Sequence, residues 1–141
     1  MHNIHHNFIV KASPQKVFEA FTIPEGLNSW WTLKSSGIPS VGTLYTFYFG
    51  PEYDWRAEVT KVIRGRELTW KMKVCREDWL PTSVGFQLTQ VGSDTSVAFF
   101  HKDWQEATEH FGITTFCWGQ LLVGLKRFIE EGIVVPFEKR N

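Results

Sequence analysis

Apolar and polar positions alternate through most of the chain, and in two places the alternation gives way to helical spacing. Ile4 to Lys11 is a predicted strand with His6, Phe8 and Val10 on one face. Ala12 to Trp31 then changes period. Ser13 suits an N-cap and Pro14 the first helical position. Val17, Phe18 and Phe21 follow at helical spacing, and Pro24-Glu25-Gly26 reads as a break before a second short helix that ends in the pair Trp30-Trp31. Ser35 to Val41, with Gly37, Pro39 and Ser40, reads as loop.

Alternation then returns. Tyr45, Phe47 and Phe49 share a face within Gly42–Gly50, and Trp55, Ala57 and Val59 share one within Tyr53–Ile63. The same parity pairs Leu68, Trp70, Met72 and Val74, then Val84, Phe86 and Leu88, and finally Thr95, Val97, Phe99 and His101. Short turns at Gly50-Pro51-Glu52, Arg64-Gly65-Arg66 and Val91-Gly92-Ser93-Asp94 favour antiparallel neighbours. Arg76–Pro81 is a longer connection. The last element is a long helix, opened by an Asp103/Glu106 capping box or at Thr108. Phe111, Thr115, Trp118, Leu122, Leu125 and Ile129 form its stripe, Leu121 and Phe128 widen it, and Gly132 stands at the C-terminal cap. The whole predicts one α+β domain over residues 1–141. A curved antiparallel sheet of six to seven strands wraps a long C-terminal helix, and two short helices after the first strand plug one end. A sheet that grips a helix leaves space between them, a natural place for an apolar ligand.

Composition narrows the function classes. Lysine plus arginine and aspartate plus glutamate both number 15, so there is no basic excess to hold nucleic acid or an anionic membrane. No apolar run reaches the roughly 18 residues a membrane span requires, and no signal-peptide pattern opens the chain. Two cysteines fit a reducing, cytoplasmic setting better than a disulfide scaffold. The aromatic share of 16%, with 7 Trp and 12 Phe, is more than a tight core easily absorbs.

The candidate ligand-binding set is therefore aromatic: Phe47, Phe49, Trp55, Trp70, Met72, Phe86, Phe99 and Trp118, with Leu122 on the same helix stripe and Trp30, Trp31 and Trp104 at the ends. Tyr45 adds a polar contact, and Arg56 falls on the outer face by parity. Glu109 is a further polar candidate. Each aromatic has an alternative reading as plain core. His101 joins the ligand-binding set as a donor to a ligand carbonyl or hydroxyl, and with Tyr45 it is the candidate for proton transfer; its alternative is a histidine bonded to backbone at a strand end. His2, His5 and His6 cluster, but neighbours on a strand diverge, so they read as exposed terminal histidines and no metal site or cofactor is expected. His110 reads as facing solvent or the sheet edge. Cys75 and Cys117 read as small buried hydrophobes. Lys126, Arg127, Glu130 and Glu131 read as surface charge.

Several short motifs carry a family likeness. They are Ala12-Ser13-Pro14 with Val17-Phe18, Pro24-Glu25-Gly26-Leu27, Trp30-Trp31, Gly42-Thr43 and the Trp55–Val59 strand. Thr95-x-Val97-x-Phe99-x-His101 before Trp104, and Trp118-x-x-x-Leu122-x-x-Leu125 before Glu130-Glu131-Gly132, complete them. With these the chain resembles the SRPBCC (START/birch-pollen-allergen-like) superfamily. Within it, the chain is most similar to the activator of heat-shock-protein-90 ATPase homologue family. The resemblance implies a helix-grip fold. Its members include lipid and hormone binders, polyketide aromatase/cyclases and co-chaperone domains, with no shared catalytic triad or metal site. The expected function is binding of a small apolar or aromatic ligand between sheet and helix. The alternatives are a co-chaperone-like module with a protein partner, and a cyclase-like enzyme using His101.

Overall fold

A computed structural model describes residues 1–140. Its first strand, β1 (His2–Val10), turns Ile4, His6, Phe8 and Val10 toward the interior. Two helices follow, α1 (Pro14–Thr22) and α2 (Pro24–Trp30). Ser13 Oγ accepts from the Lys16 N–H, which caps α1 as its sequence position predicts. The break between the helices is Ile23 alone, held extended by the proline after it. Pro24, Glu25 and Gly26 are the first turn of α2 rather than a break. Gly26 is required there: a Cβ would stand 2.8 Å from the Cα of Ala20, so only glycine lets α2 fold back onto α1.

Six more strands complete the sheet: β2 (Lys34–Ser36), β3 (Leu44–Tyr48), β4 (Asp54–Ile63), β5 (Glu67–Val74), β6 (Ser83–Val91) and β7 (Asp94–Trp104). All neighbours are antiparallel in the order β1-β7-β6-β5-β4-β3-β2, and the sheet curves around the helices. The strand β2 lies where a loop was expected. It pairs only through Lys34–Ser36 against Thr46–Tyr48, and its short polar sequence offers no alternation to read. A short 3-10 turn, Glu77–Trp79, occupies the β5–β6 connection.

One irregularity redirects side chains. Between β1 and β7 the register shifts at His2/Ile4, and Asp103 adopts φ 72°, a left-handed conformation that aspartate tolerates. Its backbone N–H donates to the Asn3 side-chain oxygen. The shift breaks the alternation, so that His101 and Trp104 are both buried while Lys102 is exposed.

The long helix, α3 (Glu109–Glu131), begins at Thr108. Thr108 Oγ1 accepts from the Phe111 N–H, and the Asp103/Glu106 box does not form because Asp103 belongs to β7. Gly132 closes the helix at φ 70°. Thr114, Trp118, Leu122, Leu125 and Ile129 are buried; Thr114 takes the place predicted for Thr115, which is half-buried. Two of the residues read as surface charge are engaged: Glu130 accepts from the Lys11 backbone N–H at 2.7 Å and from Lys126 at 3.0 Å, tying the end of β1 to α3. No helix among the described residues is long and apolar enough to cross a membrane.

Candidate functional site

The aromatic residues divide into a closed set and an open one. Beneath α1 and α2 the interior is solid. Phe21 stacks on Phe86 with ring centroids 4.1 Å apart. Trp70 meets the edges of Tyr45 and Phe47 at 5.4 Å each. The Tyr45 hydroxyl donates to the Thr22 carbonyl at 2.8 Å, and burial pushes its pKa up. The Trp30 indole N–H donates to the Ala20 carbonyl at 3.0 Å. Met72 and Leu122 are fully enclosed as well.

At the other end of the grip a cavity of about 480 Å³ opens between β4, the β5–β6 connection, α3 and the C-terminal segment. Trp31 and Trp79 are its buried aromatic walls, and the half-buried or exposed rings of Phe49, Tyr53, Trp55 and Phe137 complete it. Cys117 and Leu121 of α3 line it, as do the charged residues Arg76 and Glu138. The C-terminal wall is held by Arg140, whose guanidinium donates to the carbonyls of Asn28, Thr32 and Val135. Trp55 packs against Trp79 with centroids 4.8 Å apart and against Phe49 at 5.5 Å.

Of the expected ligand-binding residues, Trp31, Phe49 and Trp55 line this cavity. Tyr45, Phe47, Trp70, Met72, Phe86, Phe99, Trp104, Trp118 and Leu122 are buried in the core, and Trp30 lines a separate depression beside α3. Sequence parity could not find Trp79 or Phe137, since neither belongs to a strand or a long helix. For Trp79 the available signal is weaker, a large apolar residue inside the mostly polar connection Arg76–Pro81.

His101 lies behind Trp79 and Trp118 and does not line the cavity. Its Nδ1 accepts the Trp118 indole N–H at 3.0 Å. Its Nε2 is 2.9 Å from Thr82 Oγ1, which itself donates to the Trp79 carbonyl at 2.6 Å. Because the Thr82 hydrogen is spent on that carbonyl, Nε2–H is the donor and Thr82 the acceptor. The imidazole is thus neutral, with its tautomer fixed. Burial, with His110 nearby, pushes its pKa down to about 3. It bonds a side chain rather than backbone, and both nitrogens are occupied. A proton shuttle at neutral pH has neither a free nitrogen nor a suitable pKa here.

The other titratable candidates are also placed. His110 is half-buried, where solvent or the sheet edge was expected; its Nδ1 meets the Asp78 carboxylate and its ring meets the Trp104 edge. His6 is half-buried against α3, within 3.1 Å of the Thr115 carbonyl, and is not an exposed terminal residue. His2 and His5 are exposed. Arg56 points outward and pairs with Asp54, and Glu109 is exposed at the start of α3. Cys75 and Cys117 are half-buried free thiols; burial, then Asp78, pushes Cys75 up to about 11, which keeps it protonated and unreactive.

Comparison with known proteins agrees with the fold and the motifs. The Aha1 dimer from Colwellia psychrerythraea superposes with TM-score 0.85 at 35% identity, over 94% of this chain and 98% of that one. The protein SSP2350 from Staphylococcus saprophyticus superposes with TM-score 0.81 at 20% identity, over 95% and 96%. DynU16, from the dynemicin biosynthetic locus, superposes with TM-score 0.77 at 22% identity, over 92% of this chain and 48% of that one. The last two likenesses are of fold alone. No curated protein matches the chain. The family model described as Activator of Hsp90 ATPase homolog 1-like protein matches residues 11–130. With that match spanning every element from α1 to α3, the chain belongs to the Activator of Hsp90 ATPase homolog 1-like family.

Proposed function

We propose that the protein binds a small apolar or aromatic molecule in the cavity between β4, α3 and the C-terminal segment. One observation carries this reading: Phe49, Tyr53, Trp55 and Phe137, four rings that the core does not close over, share a single cavity of about 480 Å³. A volume of this size suits a small organic ligand, and a mostly apolar wall with a few polar groups at its edge is what such ligands require. Flat aromatic molecules fit best, since Trp55 and Trp79 offer ring edges and faces to stack against. Arg76, Glu138 and Arg140 are its charged lining residues, which suits a ligand that carries a polar group beside its ring.

Tryptophan emission tests the reading. Titration with laurate, cholesterol, 2-naphthol and flavone is expected to give saturable quenching for at least one aromatic probe and a raised melting temperature. Trp55→Ala is expected to weaken that binding about tenfold, as loss of an aromatic anchor commonly does. If none of the four probes changes emission or melting temperature, the cavity is a packing defect and the reading fails.

A further inference from the structure

A second depression, of about 210 Å³, lies between α2, α3 and the C-terminal segment. It shares Leu121 and Arg140 with the ligand cavity and none of that cavity's open rings. Charge sets it apart. Arg127 of α3 and Lys139 and Arg140 of the C-terminal segment all line it, and among the described residues no carboxylate does. The ligand cavity by contrast includes Glu138, and the groove beside Lys16 includes Glu19 and Glu130. In a chain with 15 acidic and 15 basic residues, three cations around one hollow without an acid is a concentration that the overall balance does not require.

Contacts within the chain do not account for that concentration. Arg127 and Lys139 are exposed and pair with no carboxylate among the described residues. Arg140 is half-buried, also without an acid in ion-pair range among those residues. Its Nε, Nη1 and Nη2 donate to the carbonyls of Val135, Thr32 and Asn28 at 2.8, 3.1 and 2.9 Å. A guanidinium has five N–H groups, so one on each Nη is left over. Burial pushes the Arg140 pKa down, and Glu138, which acts against that shift, lines the other cavity and not this one.

We infer that this depression binds a small oxyanion of the phosphate or diphosphate class. At about 210 Å³ it is smaller than the roughly 300 Å³ at which pockets for organic ligands begin, which suits a compact polyanion. The Arg140 fork is already held by three carbonyls, so its two remaining donors reach an anion with little further loss of side-chain freedom. Arg127 from α3 and Lys139 from the C-terminal segment add charge-assisted contacts. Ser29 also borders the depression but is not a donor to the anion, since its hydroxyl hydrogen goes to the Glu25 carbonyl at 2.7 Å. The site is distinct from the proposed aromatic site and does not rest on it.

Titration of the isotope-labelled full chain with sodium pyrophosphate and with sodium phosphate, at an ionic strength held constant with sodium chloride, tests this. Saturable amide shifts are expected at Ser29, Gln120, Gly124 and Lys139, with pyrophosphate bound more tightly than phosphate. Arg127→Gln and Lys139→Gln replace exposed side chains and are expected to leave the melting temperature unchanged. Each is expected to weaken pyrophosphate binding about tenfold, as loss of one charged contact does. Lys16→Gln makes the same charge change elsewhere and is expected to leave binding as it is. Vesicles of phosphatidylcholine with phosphatidic acid separate the sources of the phosphate. Co-sedimentation that Arg127→Gln abolishes assigns the site to a lipid headgroup, and pyrophosphate binding without co-sedimentation assigns it to a soluble molecule. Amide shifts that are absent, or that rise without saturating, overturn the inference. So does saturable binding that Arg127→Gln and Lys139→Gln leave intact, or that Lys16→Gln weakens equally. None of these readouts uses Trp55 or the aromatic probes, so either site can fail while the other stands.

Discussion

Trp70 and Trp55 stand on adjacent strands, face the same side of the sheet, and meet opposite circumstances. Trp70, on β5, is 2% exposed and closed in by Tyr45, Phe47 and Phe86. Trp55, on β4, is half-buried and touches only Phe49 and Trp79 among aromatic rings. The difference lies in what covers the sheet. On the Trp70 side, α1 sets Phe18 and Phe21 against Phe86, itself a neighbour of Trp70, and α2 folds back onto α1 at Gly26. Over Trp55 there is only a 3-10 turn and a C-terminal segment pinned by Arg140. Identical alternation on the two strands thus produces core at one place and cavity wall at the other.

This contrast can be broken from the closed side first. Trp118→Ala removes a core indole and leaves His101 Nδ1 without its donor. It is expected to cost about 3–5 kcal/mol, read from urea unfolding midpoints. A cost below about 1 kcal/mol would show that the interior is not solid at that point.

Acid probes the same region with a smaller effect. Native His101 is neutral with its pKa pushed down to about 3, whereas the unfolded value is 6.5. The unfolded chain therefore binds the extra proton, and this contribution to stability is complete above pH 6.5 and lost as pH falls toward 3. At about 1.4 kcal/mol per pH unit, the loss between pH 7 and pH 5 is about 2 kcal/mol. His101→Gln is expected to flatten that slope when urea midpoints are compared at the two pH values. A slope unchanged by the substitution would assign the acid sensitivity to other groups.

The cover over Trp70 is tested next. Ser13→Ala removes the α1 cap and is expected to cost about 1 kcal/mol, with no change in ligand binding. On the open side, Trp55→Ala should cost clearly less stability than Trp118→Ala, because its ring is only partly buried, while it abolishes most binding of any aromatic probe. The opposite pattern, a large stability loss with binding retained, would erase the distinction between the two regions.

How much of this is legible in the sequence follows from the same physics. Period-two alternation finds every long strand, because a pleated strand with one wet face must alternate. It misses β2, which holds its place through backbone hydrogen bonds to β3 and needs no side-chain pattern. Caps at Ser13 and Gly132 are legible because they are local chemistry. The true start of α3 is not, since Asp103 and Thr108 are both good caps and only the bulge at Asp103 decides between them. The candidate site is legible to a lesser degree. Parity places Trp55 inward beside Trp70 and cannot say that one will be covered. Trp79 and Phe137 lie outside any periodic element, and Arg140 acts through carbonyls remote in sequence. Cavities are made by what fails to arrive over a surface, and that is a property of the assembled chain.

The bond from Trp118 to His101 has a consequence for the rotation of α3. Apolar contacts let a helix turn about its own axis with little penalty, since one aliphatic side chain replaces another. A single indole N–H fixed on an imidazole, itself fixed on Thr82, sets an angle. Cys117 is the residue before Trp118 and Leu121 is one turn beyond Cys117, so that angle aims both at the cavity. It also turns Phe116 outward. The buried histidine is a rotational stop, and both faces of the helix take their direction from it.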